Sequence, residues 1–269
     1  MIELRRLALV VEYEGTGYRG FQWQLNGPTI QEELESALEK LTGQKTRVAG
    51  AGRTDTGVHA RGQVVSFTAG PGLSSQAFVV ALNHYLPLNI AVKRAVEVHD
   101  SFDVRRDAYS RRYKYSILNS RTPSPIRRLF THQVRGPLDV EAMDAACKSL
   151  IGAHDFASFC GPMEAPKSGS VRNVFDARVT SDDGLVTLEI EANSFLTHQV
   201  RRTIGELVEV GLGKKMVEEF GSLIDCPSAG SAGPTLPARG LCLEEVVYTD
   251  LDVSAPHSVE GLVPVGLGA

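Results

Sequence analysis

The stretches "RRLALVVEYE" (residues 5–14) and "GPTIQEELESALEKLTG" (residues 27–43) together predict how the fold begins. The first is apolar and rich in Leu and Val, which favours a β-strand. In the second, apolar residues recur every three or four positions, which predicts an amphipathic helix. Thr29 stands at the N-cap position, and Glu32 is expected to complete a capping box. The chain therefore begins as a strand followed by a helix.

The same alternation continues through the first hundred residues. The patterns predict a short strand near 45–49, a strand at 62–69, a helix at 73–87 ended by Pro87, and a strand at 90–98. With the opening strand and helix, this order is β-α-β-β-α-β. Such an order is typical of a ferredoxin-like unit.

The second half of the chain has the same rhythm. It is predicted to contain strand 109–118, helix 138–151, strands 171–181 and 185–192 around a turn at Asp182-Asp183-Gly184, helix 196–212 and strand 241–248. We therefore expect an α+β fold of two ferredoxin-like halves. Their strands would join into one large, mostly antiparallel sheet with helices on one face, leaving the other face for a ligand.

Length and composition agree with two coupled halves in a chain of 269 residues. We expect an N-terminal half at 1–104, a C-terminal half at 105–250 and a tail at 251–269. A hydrophobic content of 42% and a charged content of 22% are ordinary for a soluble globular protein. No apolar run is long enough to span a bilayer and the N-terminus lacks the order of a signal peptide, so the expected location is cytoplasmic. The four cysteines form no C-x-x-C pair, which predicts neither a disulfide framework nor a metal site.

Charge is unevenly distributed along the chain, although the net charge is only -4. Residues 93–135 contain eleven Lys and Arg against four Asp and Glu, whereas the remainder contains 17 bases and 28 acids. A basic segment on an acidic body is expected where a phosphate backbone docks. A solvated charged face with no ligand would show the same pattern.

The stretch "AGAGRTDTGVHARGQ" (residues 49–63) contains the triplet Asp55-Thr56-Gly57, which also surrounds the catalytic carboxylates of aspartic proteases. A protease of that kind needs two carboxylates that share one proton. This chain has a single such triplet, and Arg53 would favour the ionised carboxylate rather than the shared proton. The sequence therefore argues against a protease.

The same stretch is predicted to form a glycine-rich loop between two strands that presents Arg53, Asp55 and His59. Its glycines, at positions 50, 52 and 57, are expected to adopt backbone angles that other residues resist. A polar side chain could then be held in a cleft against a ligand. The alternative is a turn in which the Asp merely caps its own backbone amides.

Six stretches, taken in order, resemble the tRNA pseudouridine synthase A family. They are "YEGTGYRGFQWQ" with "TIQEELESAL" (13–38), "GAGRTDTGVHARGQVVSF" (50–67), "YSRRYKYSI" (109–117), "IGAHDFASF" (151–159), "NSFLTHQVRRTIGELVEVG" (193–211) and "LPARGLCLEEVVY" (236–248). The resemblance covers about residues 5 to 248. It implies a cofactor-independent and metal-independent isomerase that flips a uridine out of the anticodon arm of tRNA, at about positions 38, 39 and 40, and converts it to pseudouridine. It also implies a homodimer in which one tRNA touches both subunits.

The resemblance assigns catalytic roles to three residues. Asp55 is the expected nucleophile, and the residues leave open whether it attacks ring carbon 6 of uracil or the anomeric carbon of the ribose. Arg201, on the helix after "FLTHQV", is the expected cationic partner that keeps Asp55 ionised. Tyr113 is expected to line the pocket and stack on the flipped uracil, whereas Tyr115 could belong to the core.

Substrate binding is predicted for five residues, namely Arg53, His59, Arg111, Arg112 and Tyr113. Arg53 could grip a phosphate or fill the space left by the extruded base. For His59 and for His198, a purely structural role is the alternative, since single histidines are often satisfied structural groups. Two other functions stay open at this stage: a non-catalytic RNA-binding module, and a synthase of the same kind that acts on other RNA targets.

Overall fold

The computed structural model describes residues 4–161, 169–233, 235–249 and 251. The predicted tail at 251–269 lies outside the described residues except for Leu251. The strands are β1 Arg5–Tyr13, β2 Ala49–Gly50, β3 His59–Ala69, β4 Ile90–Val98, β5 Ala108–Asn119, β6 His132–Val134, β7 Gly152–Asp155, β8 Val171–Asp182, β9 Leu185–Ala192 and β10 Leu241–Tyr248. The helices are α1 Ile30–Thr42, α2 Ser75–Tyr85, α3 Val140–Lys148, α4 Gln199–Gly211 and α5 Val217–Asp225.

The strands form one sheet in the order β4-β1-β3-β10-β5-β9-β8-β7, with β2 paired to β3 and β6 paired to β5. The first half gives the order β4-β1-β3-β2, and the second half, with its short strands β6 and β7 left out, gives the matching order β10-β5-β9-β8. Both are the order of a β-α-β-β-α-β unit of the ferredoxin-like type. All pairings are antiparallel except β10 with β3 and β5 with β6. The predicted α+β fold with one large, mostly antiparallel sheet is therefore confirmed. The predicted boundary near residue 104 stays a prediction.

The two halves meet where β10 lies between β3 and β5. β10 runs parallel to β3 at His59 and Ala60, and antiparallel to β5 along most of its length. β2 is shorter than the strand predicted at 45–49 and covers only the far end of β3, at Val65 and Ser66. The near end of β3 is thus open to β10. Loop 51–58, which connects β2 to β3, lies beside this seam.

Local sequence signals account for the first helix. The Thr29 side chain accepts a hydrogen bond from the Glu32 amide at 3.2 Å, and Gly43 ends the helix in the left-handed region. The reciprocal bond, in which the Thr29 backbone amide would donate to the Glu32 carboxylate, is not present among the described hydrogen bonds of this helix. The predicted capping box is therefore only half formed. No helix among the described residues is long and apolar enough to cross a membrane.

The two faces of the sheet differ in polarity at β5. Tyr113 and Tyr115 are buried, and α4 packs against this strand. Arg112 points to the opposite face, where it pairs with Glu191 and Glu245 at 2.9 and 3.1 Å. This alternation follows from the two-residue period of a strand. One face therefore belongs to the core, and the other carries ion pairs.

The stretch between β1 and α1 lies against the backbone of loop 51–58. A Cβ atom added at Gly15 would lie 2.0 Å from the carbonyl oxygen of Val58. At Gly20, which has φ 93°, it would lie 2.7 Å from the carbonyl oxygen of Thr54. Only glycine allows two backbones to approach this closely. Gly15 and Gly20 of "YEGTGYRGF" therefore allow this stretch to pack directly against the loop.

Gly15→Ala should lower the free energy of unfolding by about 1–3 kcal/mol, because the new methyl group overlaps the Val58 carbonyl. Gly17→Ala is the matched control, since a Cβ at Gly17 meets no atom within 4 Å and the entropy change in the unfolded chain is the same. Urea unfolding followed by circular dichroism measures both. Equal midpoints for the two variants would contradict the close approach.

Candidate active site

Loop 51–58 is held just before Asp55 by buried polar groups. The hydroxyls of Tyr13 and Thr54 are 2.7 Å apart, and the side-chain amide of Gln63 donates to the carbonyl oxygen of Gly52 at 3.0 Å. Thr54 is only 6% exposed, so its hydrogen bond is protected from water. The backbone that presents Asp55 is therefore fixed before any ligand binds.

The glycines of this loop do not all act as predicted. Gly57 has φ 78°, in the left-handed region that glycine tolerates. Gly50 and Gly52 have no positive φ. Gly50 is required for another reason, since a Cβ there would lie 2.5 Å from the ring of Phe21. The expectation of unusual backbone angles is thus wrong for two of the three.

Asp55 and Arg201 are brought together across the two halves of the sheet. Arg201 Nη1 donates to Asp55 Oδ2 at 3.0 Å, and Arg201 Nε donates to the carbonyl oxygen of Leu236 at 2.7 Å. Asp55 remains 29% exposed at its side chain, whereas Arg201 is 15% exposed. The backbone just before β10 thus aims the guanidinium at the carboxylate. This arrangement can hold the Asp55 carboxylate in one orientation.

A cavity of about 350 Å³ opens beside this ion pair. Six side chains that line it matter for chemistry, and these are Arg53, Asp55, Tyr113, Phe195, His198 and Arg201. It lies next to the first turn of α4 and the buried face of β5, so the expectation that a ligand would occupy the other face of the sheet is wrong. Among the described residues, no three His, Cys, Asp or Glu side chains are grouped to hold a metal ion.

Tyr113 forms an aromatic wall of the cavity. Its ring meets that of Phe195 edge to face, with centroids 5.2 Å apart. Burial raises the pKa of the Tyr113 phenol well above its ordinary value, so the hydroxyl stays protonated at neutral pH. Tyr115, two residues on, is fully buried and donates to the carbonyl oxygen of Pro237 at 2.8 Å. Tyr115 therefore belongs to the core.

Arg111 borders the cavity, but its guanidinium is engaged by the protein. It donates to four backbone carbonyl oxygens at 2.7–3.1 Å, those of Ala51, Arg105, Ala108 and Asn193. The residue is 8% exposed. Arg111 thus ties the start of loop 51–58 to the end of β9. The predicted contact with substrate is replaced by a positioning role.

His59 lies outside the residues that line the cavity. Its Nδ1 accepts from the Gly15 amide at 3.1 Å, and its Nε2 lies 2.9 Å from the carbonyl oxygen of Leu129. Burial lowers the pKa of His59, which favours the neutral ring that this pair of bonds requires. Its ring also contacts Phe130, with centroids 4.9 Å apart. His59 therefore anchors the segment after β5 to the start of β3, and its predicted contact with substrate stays a prediction.

Arg112 is also placed away from the cavity. Its guanidinium lies on the ion-pair face of the sheet, bound to Glu191 and Glu245. Adjacent positions on a strand point to opposite faces, so Arg112 cannot share the surroundings of Tyr113. Arg112 therefore does not line the cavity, and its predicted contact with substrate stays a prediction.

The basic segment at 93–135 is partly neutralised within the protein. Lys93 pairs with Glu12, Lys114 lies 4.0 Å from Glu189, and Arg106 lies 3.7 Å from Asp103. Five other bases are exposed and have no acidic partner among the described residues, and these are Arg105, Arg121, Arg127, Arg128 and Arg135. Four of them lie between β5 and α3, in the segment that His59 anchors. The available positive charge is therefore concentrated there.

Two contributors to the site carried only weak sequence signals. His198 Nε2 lies 3.5 Å from Asp55 Oδ2, although a lone histidine in "FLTHQV" favours a structural role. The Leu236 carbonyl that orients Arg201 is a backbone group, which no residue type marks. The stretch "LPARG" just before β10 was the only available hint.

Arg111→Met should lower the free energy of unfolding by about 2–4 kcal/mol, because four carbonyl oxygens lose a charged donor in a buried setting. Arg112→Met is the control, because Arg112 sits in a 44% exposed ion pair whose loss costs about 0–1 kcal/mol. Thermal and urea unfolding measure both. A loss from Arg112→Met as large as that from Arg111→Met would refute the positioning role.

Comparisons with known proteins agree with this geometry. The family model described as tRNA pseudouridine synthase matches residues 9–107 and 146–249. A tRNA pseudouridine synthase A from Myxococcus xanthus is 46% identical over 246 residues, covering 91% of this chain and 92% of the relative. Proteins of the same name from a Geobacter species and from Acetivibrio thermocellus are each 41% identical, over 92% and 91% of this chain and 100% of each relative. The chain therefore belongs to the tRNA pseudouridine synthase family, whose members are isomerases.

Proposed function

We propose that this chain converts uridine to pseudouridine in the anticodon arm of tRNA, at about positions 38, 39 and 40, after flipping the base into the cavity. The observation that carries the proposal is the Asp55–Arg201 ion pair at the mouth of that cavity. A carboxylate paired with a guanidinium beside an aromatic wall supplies the groups that this isomerisation needs.

The reaction breaks the bond from the ribose to ring nitrogen 1, turns the base, and forms a bond from the ribose to ring carbon 5. Ring carbon 5 loses a proton and ring nitrogen 1 gains one, so no oxidant or reductant is needed. Asp55 supplies the attacking oxygen, at ring carbon 6 or at the anomeric carbon. Arg201 stabilises the carboxylate form before attack and when the carboxylate leaves.

Tyr113 supports the flipped base in this proposal. An aromatic ring that stacks on a base contributes about 1–3 kcal/mol, and Tyr113 presents its ring to the cavity that holds Asp55. Because burial raises the pKa of its phenol, the hydroxyl is a hydrogen-bond donor at neutral pH and not an anionic base. Tyr113 therefore positions the base through stacking and donation.

Arg53 completes the substrate site from the exposed side. It lines the cavity, is exposed, and has no hydrogen-bond or ion-pair partner among the described residues. A flexible cation beside a pocket for an extruded base can hold a backbone phosphate or occupy the vacated place in the helix. Either role is consistent with its position two residues before the nucleophile.

Of the two rival functions, only the non-catalytic module gives Asp55 no chemical role. A non-catalytic RNA-binding module gains nothing from a carboxylate that faces a polyanion, and the family to which the chain belongs consists of enzymes. A synthase that acts on other RNA targets would use the same residues. Its distinction lies in the groove that receives the RNA, and RNA is recognised largely by shape.

Asp55→Asn should lower turnover by at least about 1,000-fold while leaving tRNA affinity unchanged, because an amide cannot act as the nucleophile. Release of tritium from carbon 5 of uridine measures turnover, with tRNA that carries cytidine at positions 38 to 40 as the substrate control. Asp176→Asn, on the ion-pair face, is the protein control. Release by Asp55→Asn would refute the nucleophile, and release from the cytidine-bearing tRNA would refute the target positions.

The double variant Arg127→Gln, Arg128→Gln should weaken tRNA binding and reduce the slope of log affinity against log salt by about 1.4–1.8, if each Arg neutralises one phosphate. Arg112→Gln removes an exposed cation on the ion-pair face and should leave the slope unchanged. Fluorescence anisotropy with labelled tRNA at several salt concentrations measures both. An identical slope for all three proteins would exclude the segment from RNA binding.

A homodimer in the cytoplasm completes the proposal. One tRNA would then touch both subunits, as the family resemblance implies. Sedimentation of the protein with and without tRNA tests this assembly directly.

A further inference from the structure

The residue before α4 has an unusual backbone. His198 stands at the N-cap with φ 61° and ψ 0°, in the left-handed region. The other residue of this kind among the described non-glycine residues is Asp183, in the turn between β8 and β9. A non-glycine residue held there costs about 1–3 kcal/mol unless the surroundings compensate. An Asp in a hairpin turn has a local reason for this conformation, whereas a histidine at a helix start has none.

Helix capping does not account for His198. N-cap residues normally have extended backbone angles and a side chain that accepts from the first turn, but His198 makes no such bond. The turn is held instead by Gln199, whose side-chain oxygen accepts from the Leu196 amide at 2.8 Å. The histidine side chain is therefore not used to start the helix.

The imidazole is directed at the nucleophile. His198 Nε2 lies 3.5 Å from Asp55 Oδ2, the same oxygen that accepts from Arg201 Nη1 at 3.0 Å. No described hydrogen bond reaches Asp55 Oδ1. Because Arg201 and His198 both approach Oδ2, the Asp55 carboxylate rotates less than it would with a single ion pair. Oδ1 therefore keeps a defined position.

We infer that His198 is a positioning residue, which holds Asp55 Oδ2 together with Arg201 and leaves Oδ1 as the attacking oxygen. This inference rests on the proposed function, since it concerns the orientation of the nucleophile. The strained backbone at the start of α4 is retained because it directs the imidazole to Asp55. His198 acts through Asp55 and exchanges no proton with the substrate.

Three variants separate this role from a structural one. His198→Gly removes the imidazole and the backbone strain, so the protein should be at least as stable as wild type while kcat falls about 10- to 100-fold and KM for tRNA changes less than about 2-fold. His198→Gln keeps a donor at the reach of Nε2 but retains the strain, so it should be less stable than His198→Gly yet recover part of kcat. Asp183→Gly relieves strain at the hairpin and should leave kcat unchanged.

Urea unfolding and tritium release measured on the same preparations give the result. A positioning role is supported if His198→Gly is more stable than His198→Gln but has the lower kcat. The inference would be overturned by any of three results: a kcat that follows stability across the variants, an unchanged kcat in His198→Gly, or an effect confined to KM. If wild type itself releases no tritium, the proposed function fails; if wild type is active and His198→Gly equals it, the inference alone fails.

Discussion

The ion pair between Asp55 and Arg201 is the interaction on which the site depends. Its members are 146 residues apart and come from different halves of the chain. Each is held by groups that are themselves buried or backbone-bonded, because Thr54 fixes the loop and the Leu236 carbonyl orients the guanidinium. The ion pair is therefore formed by the way in which the two halves join, and either half alone would hold only one partner.

The joint between the halves explains why this works. β2 is too short to cover β3, so β10 can enter the sheet beside His59 and Ala60. The segment before β10 then passes close to the start of α4, where its backbone meets Arg201. A longer β2 would compete with β10 for the same edge of β3. The shortness of β2 therefore contributes to the arrangement of the candidate site.

Arginines of one short stretch have different roles because of strand geometry. Arg111 and Arg112 are neighbours, yet one is buried among backbone carbonyls and the other lies in an exposed ion pair. Pairing also changes how much each base of the segment adds to the exposed positive charge, since Lys93 is paired with Glu12 whereas Arg127 and Arg128 have no acidic partner among the described residues. A charge count along the sequence cannot make this distinction.

Periodicity in the sequence determined the long elements and both β-α-β-β-α-β units, because hydrophobic patterns are local. The resemblance of six motif stretches to a known family, and not periodicity, identified Asp55, Arg201 and Tyr113 as candidates. The short strands β6 and β7, the place of β10 in the sheet, and the anchoring roles of His59 and Arg111 depended on the tertiary structure. These features are decided by partners that are distant in the chain. Many of the partners are backbone carbonyls, which no residue type marks in the sequence. In addition, neighbouring residues of a strand point to opposite faces of the sheet, so a small error in register changes which side chains are buried.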